Sequence, residues 1–187
     1  MAYQRLLSVG FLLFILVAGS VSAQISTDTG RLKERKEAVR EKREMFRQKL
    51  KEIRDKRKQA VVERIDTKMT KVNERRTSRW VEVLNKLSSI MERLQKKTDD
   101  AKTQGKDTKA AEDAIFKAND AIATAQSTVS SQAGREYVIE LGEESAVRGA
   151  VGAVVNQLQQ DLRATHKAVV DAKQAVMNVS GEVAKLK

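Results

Sequence analysis

The sequence predicts an all-α protein: an elongated antiparallel three-helix bundle or coiled coil, with one very long N-terminal helix and a short connector around 135–142. Three observations carry that expectation. The 187-residue chain contains no Pro, and the 67 residues from Arg31 to Lys97 contain no Gly either, so nothing in that run forbids a continuous helix. Apolar residues in the run recur at threes, fours and sums of those, which is the helix period and not the strand period. There is no Cys, so a chain expected to be exported cannot staple a small core and must be held by helix packing.

Arg5 gives the chain a positive start, Leu6 to Val17 is almost wholly apolar, and Val21-Ser22-Ala23 sets small residues ahead of Gln24. That is the pattern of an export signal over 1–23, cut after Ala23, which would deliver the mature chain to the periplasm, the cell surface or the medium. The alternative is an anchor formed by the uncleaved segment, although the 16 residues from Leu6 to Val21 fall short of the roughly 20 that a bilayer span requires. No Cys lies near the cut, which excludes lipid attachment through a lipobox thiol.

Residues 24–30 form an N-terminal linker in which Ser26, Thr27 and Asp28 can accept from the first turn of a helix. A basic helix over 31–103 follows, with an apolar stripe of Leu32, Val39, Phe46, Leu50, Ile53, Val61, Ile65, Met69, Val72, Trp80, Val83, Leu87, Ile90 and Leu94. At ~1.5 Å per residue it would be ~110 Å long. It should stop between Thr98 and Asp107, where Gly105 can take the left-handed position beyond a helix end.

The second helix, 107–132, is capped by Asp107 or Thr108 and carries Ala111, Ile115, Ala118, Ile122, Ala125 and Val129 at strict four-three spacing. Half of that seam is Ala, so a neighbouring backbone can come close. Tyr137 to Leu141 is read as an extended connector that lays Tyr137, Ile139 and Leu141 on the bundle. The third helix, 143–178, opens with Glu143 and Glu144 at its positive end and continues through Val147, Val151, Val154, Leu158, Leu162, Thr165, Val169, Ala172 and Val176. Gly149 and Gly152 cost up to ~1 kcal/mol each in helix propensity, which suggests close contact with the Ala-rich seam. A frayed tail over 179–187 is expected around Gly181.

Charge is concentrated in one place. Arg31 to Lys97 holds 24 Lys/Arg against 11 Asp/Glu, a net +13 where the whole chain is +11. Neither later helix is long enough to cover the first, and apolar density says which part is left over: 7 residues of 28 in Arg31 to Lys58 against 14 of 39 in Gln59 to Lys97. Residues 59–103 are therefore the bundle part and 31–58 a projecting arm. Its candidate polyanion-binding residues are Arg31, Lys33, Arg35, Lys36, Arg40, Lys42, Arg43, Arg47, Lys49, Lys51, Arg54, Lys56, Arg57 and Lys58. Its candidate helix-pairing seam is Leu32, Val39, Phe46, Leu50 and Ile53, a stripe within about 60° of arc, too narrow for a membrane-surface helix. Expected partners are a second copy or another partner helix, and an acidic polymer or anionic membrane surface; no small-molecule substrate is expected.

The remaining motifs favour structure over chemistry. Trp80 sits among Arg75, Arg76 and Arg79 but lies on the apolar stripe, as a bundle anchor would; Met45, Met69, Met91 and Met177 read as seam filler. His166 is the one His and there is no Cys, so nucleophilic dyads and the common transition-metal sites lack members. Asp99-Asp100 and Glu143-Glu144 are neighbours that diverge by ~100° on a helix and do not converge on one substrate. No Gly-rich phosphate loop occurs, and Asn178-Val179-Ser180 is a short sequon match only. The chain is expected to be no enzyme and to need no cofactor.

In its plan of signal peptide, basic mature chain, long helical arms and no Cys, the chain resembles the periplasmic coiled-coil holdases of the Skp type. That family builds a trimerisation core from β-strands at both ends, whereas this chain enters and leaves through helix. The segments Glu63-Arg64-Ile65-Asp66-Thr67-Lys68-Met69-Thr70 and Gln132-Ala133-Gly134-Arg135-Glu136-Tyr137-Val138, with the Ala-rich helix, are similar to small exported helical proteins of uncultivated bacterial lineages, which imply no activity or site residues. The expected function is that of an exported, non-enzymatic helical interaction or structural protein of the cell envelope. It would act through coiled-coil pairing or a basic arm on an acidic surface. The alternatives are a Skp-like holdase chaperone, or a binder of anionic lipid, cell-wall polymer or extracellular DNA.

Overall fold

The computed structural model describes residues 21–186, with side chains from residue 33 onward. Most of the expected signal over 1–23 lies outside the described residues. Among them there are four helices and no strand: α1 (Val21–Glu52), α2 (Lys56–Thr103), α3 (Lys109–Ala133) and α4 (Val147–Ala184). None of these helices is long and apolar enough to cross a membrane. The chain divides into two units, Met1–Ala38 and Val39–Lys187. Of the first, the helical stretch 21–38 is described, so the expected linker over 24–30 is helix and no helix begins at Ser26 to Asp28.

Within Val39–Lys187 the expected single helix over 31–103 is two. Ile53, Arg54 and Asp55 interrupt it without any Gly or Pro. Asp55, with extended backbone at φ −75° and ψ 105°, accepts the backbone N–H groups of Arg57 and Lys58 through its side chain at 2.9 and 3.3 Å. This is an N-cap, satisfying donors that a new helix would otherwise leave bare. The break lets the end of α1 pack. Phe46, Leu50 and Ile53 are buried in one cluster with Val62, Met69, Tyr137, Ile139, Leu141, Val147 and Leu158. Residues 39–58 are therefore not a projecting arm, and three of the five seam residues face the interior of their own unit.

The other cluster belongs to α2, α3 and α4, which pack pairwise. Trp80, Leu84, Leu87, Met91 and Leu94 meet the whole α3 seam and Val169, Ala172, Val176, Val179 and Val183. Ala118, Ala125 and Ala172 are fully covered, as small residues at a close helix approach should be. On α2 the buried face includes Val62 and Leu84 while Val61 is exposed, so the centre of the face lies off the predicted stripe. The reason is polar: Asn73 and Thr77 occupy core positions that apolar counting skips.

Between the clusters lies a polar layer. Asn73 donates to the carbonyls of Gln132 and Arg135, while the Gln132 amide donates to Asn73 Oδ1 and Tyr137 Oη, both at 2.8 Å. The Tyr137 hydroxyl donates to Asp161, which Arg135 also holds at 2.6 Å. Each buried polar side-chain atom among the described residues has a partner, so the layer fixes the end of α3 and the connector against α2 and α4 with its desolvation offset by hydrogen bonds.

The remaining boundaries follow local chemistry. α2 ends on Gly105 at φ +77°, with Lys106 N–H donating to Ala101 O and Gly105 N–H to Lys102 O, the paired bonds of a Schellman stop. The connector over 135–142 has no regular secondary structure, and Tyr137, Ile139 and Leu141 are buried as expected. Three expectations are overturned. The tail does not fray, because Val179 and Val183 are buried and α4 runs to Ala184. Gly149 and Gly152 are not in close contact, since a Cβ at either would meet nothing within 4 Å. Met45 and Met177 are 50% and 55% exposed and fill no seam, unlike Met69 and Met91.

Candidate functional site

The expected binding residues fall into two groups once the fold is known. Of the thirteen cations from Lys33 to Lys58, whose side chains are described, five hold a carboxylate. Lys42 meets Glu140 at 2.6 Å, Arg43 meets Asp66 at 2.8 Å and Glu136 at 3.3 Å, and Lys58 meets Glu144 at 3.3 Å. Arg40 and Lys49 pair on their own helix with Glu44 and Glu52. Lys56 donates to Gln59, and the Arg54 backbone N–H donates to Glu144. Lys33, Arg35, Lys36, Arg47, Lys51 and Arg57 are exposed; the Arg31 and Leu32 side chains lie outside the described residues, and Val39 is half-buried.

These pairs make a clasp, not an open binding surface. The Glu140 carboxyl is held below its ordinary pKa by the hydrogen bond from Lys42 and by that ammonium's charge. Glu144 is held low first by the Arg54 backbone N–H and then by Lys58. Connector acids thus offset three cations, Lys42, Arg43 and Lys58, of the stretch that the sequence presents as the most basic.

Further unpaired charge, in a longer row, lies on α2. From Arg64 to Lys97 there are ten Lys/Arg and four Asp/Glu, and among the described residues none of the ten has a carboxylate within 4.0 Å. At about 100° per residue, Arg57, Arg64, Lys68, Lys71, Arg75, Arg79, Lys86, Arg93 and Lys97 share an arc of about 80°. The buried residues Val62, Met69, Trp80, Leu84, Leu87 and Met91 sit on the opposite side of the helix. The core thus turns this row of cations outward, with Glu82 the one acid in the row.

Its local sequence is informative. Arg64 and Lys68, Lys71 and Arg75, and Arg75 and Arg79 are like charges four residues apart, each pair costing the helix about 0.2–0.5 kcal/mol. A merely solvated surface gains by placing acids at that spacing, as Lys109 with Asp113 and Lys167 with Asp171 do elsewhere in the chain. The sequence reading placed the charge correctly within Arg31 to Lys97 but assigned the α2 part to bundle packing. The four-residue spacing of like charges was the signal that could have found it.

A second polar group, with two guanidiniums, flanks this row. Arg76, Arg163 and His166 line a groove of about 290 Å³ between α2 and α4, with Val72, Trp80, Gln159 and Leu162. The His166 ring stacks on Trp80, centroids 6.1 Å apart and planes 22° from parallel. Trp80 is thus a buried anchor that also floors a charged groove. Among the described residues no three His, Cys, Asp or Glu side chains are grouped to hold a metal ion. Comparison of the chain with family models, curated proteins and solved structures returns no match.

Proposed function

We propose that the chain is a non-enzymatic helical interaction protein of the cell envelope that binds an acidic polymer or anionic surface along the outer face of α2. One observation carries the reading: a row of outward Lys and Arg without carboxylate partners, several set four residues apart at a cost to their own helix. A polyanion laid along that row relieves the repulsion and releases its own counterions, so the cost in the free protein becomes affinity in the complex. From Arg64 to Arg79 the row extends ~22 Å, and from Arg57 to Lys97 ~60 Å. That suits a linear or planar array of charges better than a single small molecule. Export to the envelope rests on the Arg5, Leu6 to Val17 and Val21-Ser22-Ala23 pattern.

The test is the salt dependence of binding to double-stranded DNA, polyphosphate and anionic vesicles. Affinity should fall steeply with salt for at least one of them, and neutralising Arg64, Lys68, Lys71 and Arg75 to Gln should flatten the slope. Neutralising Lys42, Lys49 and Lys58, which already hold carboxylates, should change it far less. Salt-insensitive binding, or a slope unmoved by the α2 changes, refutes the proposal.

A further inference from the structure

We propose that the groove between α2 and α4 bounded by Arg76, Gln159, Arg163 and His166 is a binding site for a single phosphate group. This goes beyond the polyanion reading and does not depend on it, because the groove lies on the flank of α2 and not on its outward row. At ~100° per residue Arg76 is about 120° round the helix from Arg64, on the side that meets α4. Trp80 is one turn after Arg76, and Gln159, Arg163 and His166 are spaced by four and three along α4, so the donors are carried by two packed helices and none by a loop.

The chemistry converges. Two guanidinium forks, an imidazole and a primary amide present donors around one recess, and guanidinium is the side chain whose planar fork matches phosphate oxygens in pairs. Neither Arg76 nor Arg163 has a carboxylate within 4.0 Å among the described residues. The acid nearest in sequence on α4, Asp161, is taken up elsewhere, by Arg135 at 2.6 Å, Tyr137 at 2.8 Å and Gln157 at 3.1 Å. The next one along, Asp171, is paired with Lys167 at 2.6 Å. The site therefore holds positive charge that the fold leaves uncompensated, beside a Trp80–His166 stack that fixes one of its walls. At about 290 Å³ it lies at the lower limit of ligand pockets, which suits one charged group and not a whole drug-sized molecule.

The phosphate can be free inorganic phosphate or one unit of a chain, and Trp80, the only Trp in the sequence, can tell them apart. Its fluorescence is titrated at fixed ionic strength with inorganic phosphate and, separately, with polyphosphate, chloride serving as the blank. A saturable change in Trp80 emission is expected, and R76Q and R163Q should each weaken it tenfold or more, since each removes charge-assisted hydrogen bonds. R163K, which keeps the charge and loses the fork, should fall between R163Q and the parent. Response to phosphate alone identifies a free-ion site; response only to polyphosphate, still lost in R76Q and R163Q, identifies a chain phosphate. The double change K68Q/K71Q should leave the inorganic-phosphate response intact while weakening the polyanion slope, which separates failure of this site from failure of the outer face. No saturable response to either probe, or one that survives both R76Q and R163Q in protein of unchanged helicity, overturns the proposal.

Discussion

At the scale of single residues, the same residue type has opposite consequences in different backbones. Gly105 sits at φ +77°, where an L side chain is strained whatever the space around it, so Gly105→Ala should destabilise the protein by about 1–2 kcal/mol, with Gly105→Asn milder. Gly149, Gly152 and Gly181 are helical, and a Cβ at each would meet nothing within 4 Å. Converting any of them to Ala should stabilise by about 0.5–1 kcal/mol through helix propensity and a less flexible unfolded chain. Chemical denaturation of the four Ala variants, with Gly105→Asn beside them, checks the sign at each site. Asn73 is the corresponding polar case. It is 4% exposed and bonded to two carbonyls and to the Gln132 amide. Asn73→Leu removes those three hydrogen bonds and leaves the Gln132 amide with Tyr137 alone, so unfolding at a denaturant concentration lower by the equivalent of about 1–3 kcal/mol is expected, with little change in helicity. A neutral effect would mean that water replaces the amide.

At the scale of elements, the turn between α1 and α2 depends on one carboxylate and then on several ion pairs. Asp55→Ala removes the cap and should cost about 1 kcal/mol in the same denaturation assay. The clasp that follows should respond to acid. Glu140 and Glu144 are both held below their ordinary pKa. The stability they lend is therefore fully present above about pH 4.3, the unfolded value, and is lost as pH falls through the lowered folded values. Amides of Val39 to Glu52 should lose protection in that window, after correction for intrinsic exchange, before those of α3, whose seam is apolar. Equal loss in both would refute the clasp. This element also shows what was legible in the sequence. The seam of α3 was readable because Ala111 to Val129 keeps strict spacing with apolar residues only. The turn was not, because Ile53-Arg54-Asp55 contains no Gly or Pro and a lone Asp within a charged helix looks like one more surface residue. The neutralisation of Lys42 and Arg43 was invisible for another reason: Glu140 and Glu136 lie 98 and 93 residues further along, so only the folded chain brings them together. Charge was legible as an amount, and its pairing was not.

At the scale of the whole molecule, net charge and charge arrangement make different predictions. The chain is +11 at neutral pH, and any polyanion will attract such a protein to some degree through its long-range field. If that field alone governs binding, removing four charges anywhere should have the same effect. If the row on α2 governs it, position matters. Two variants separate the cases: Lys68, Lys71, Arg75 and Arg79 changed to Gln, and Lys109, Lys117, Lys167 and Lys173 changed to Gln. Both bring the formal charge from +11 to about +7, and all eight side chains are exposed. With duplex DNA as the probe, each phosphate contact contributes about 0.9 to the slope of log affinity against log salt. The α2 variant should therefore have a slope shallower by up to about 3.6, and the second variant one close to the parent. Equal slopes would assign binding to net charge alone. A larger loss in the second variant would move the site to α3 and α4, where Lys109 and Lys167 already hold Asp113 and Asp171 and the available positive charge is correspondingly smaller.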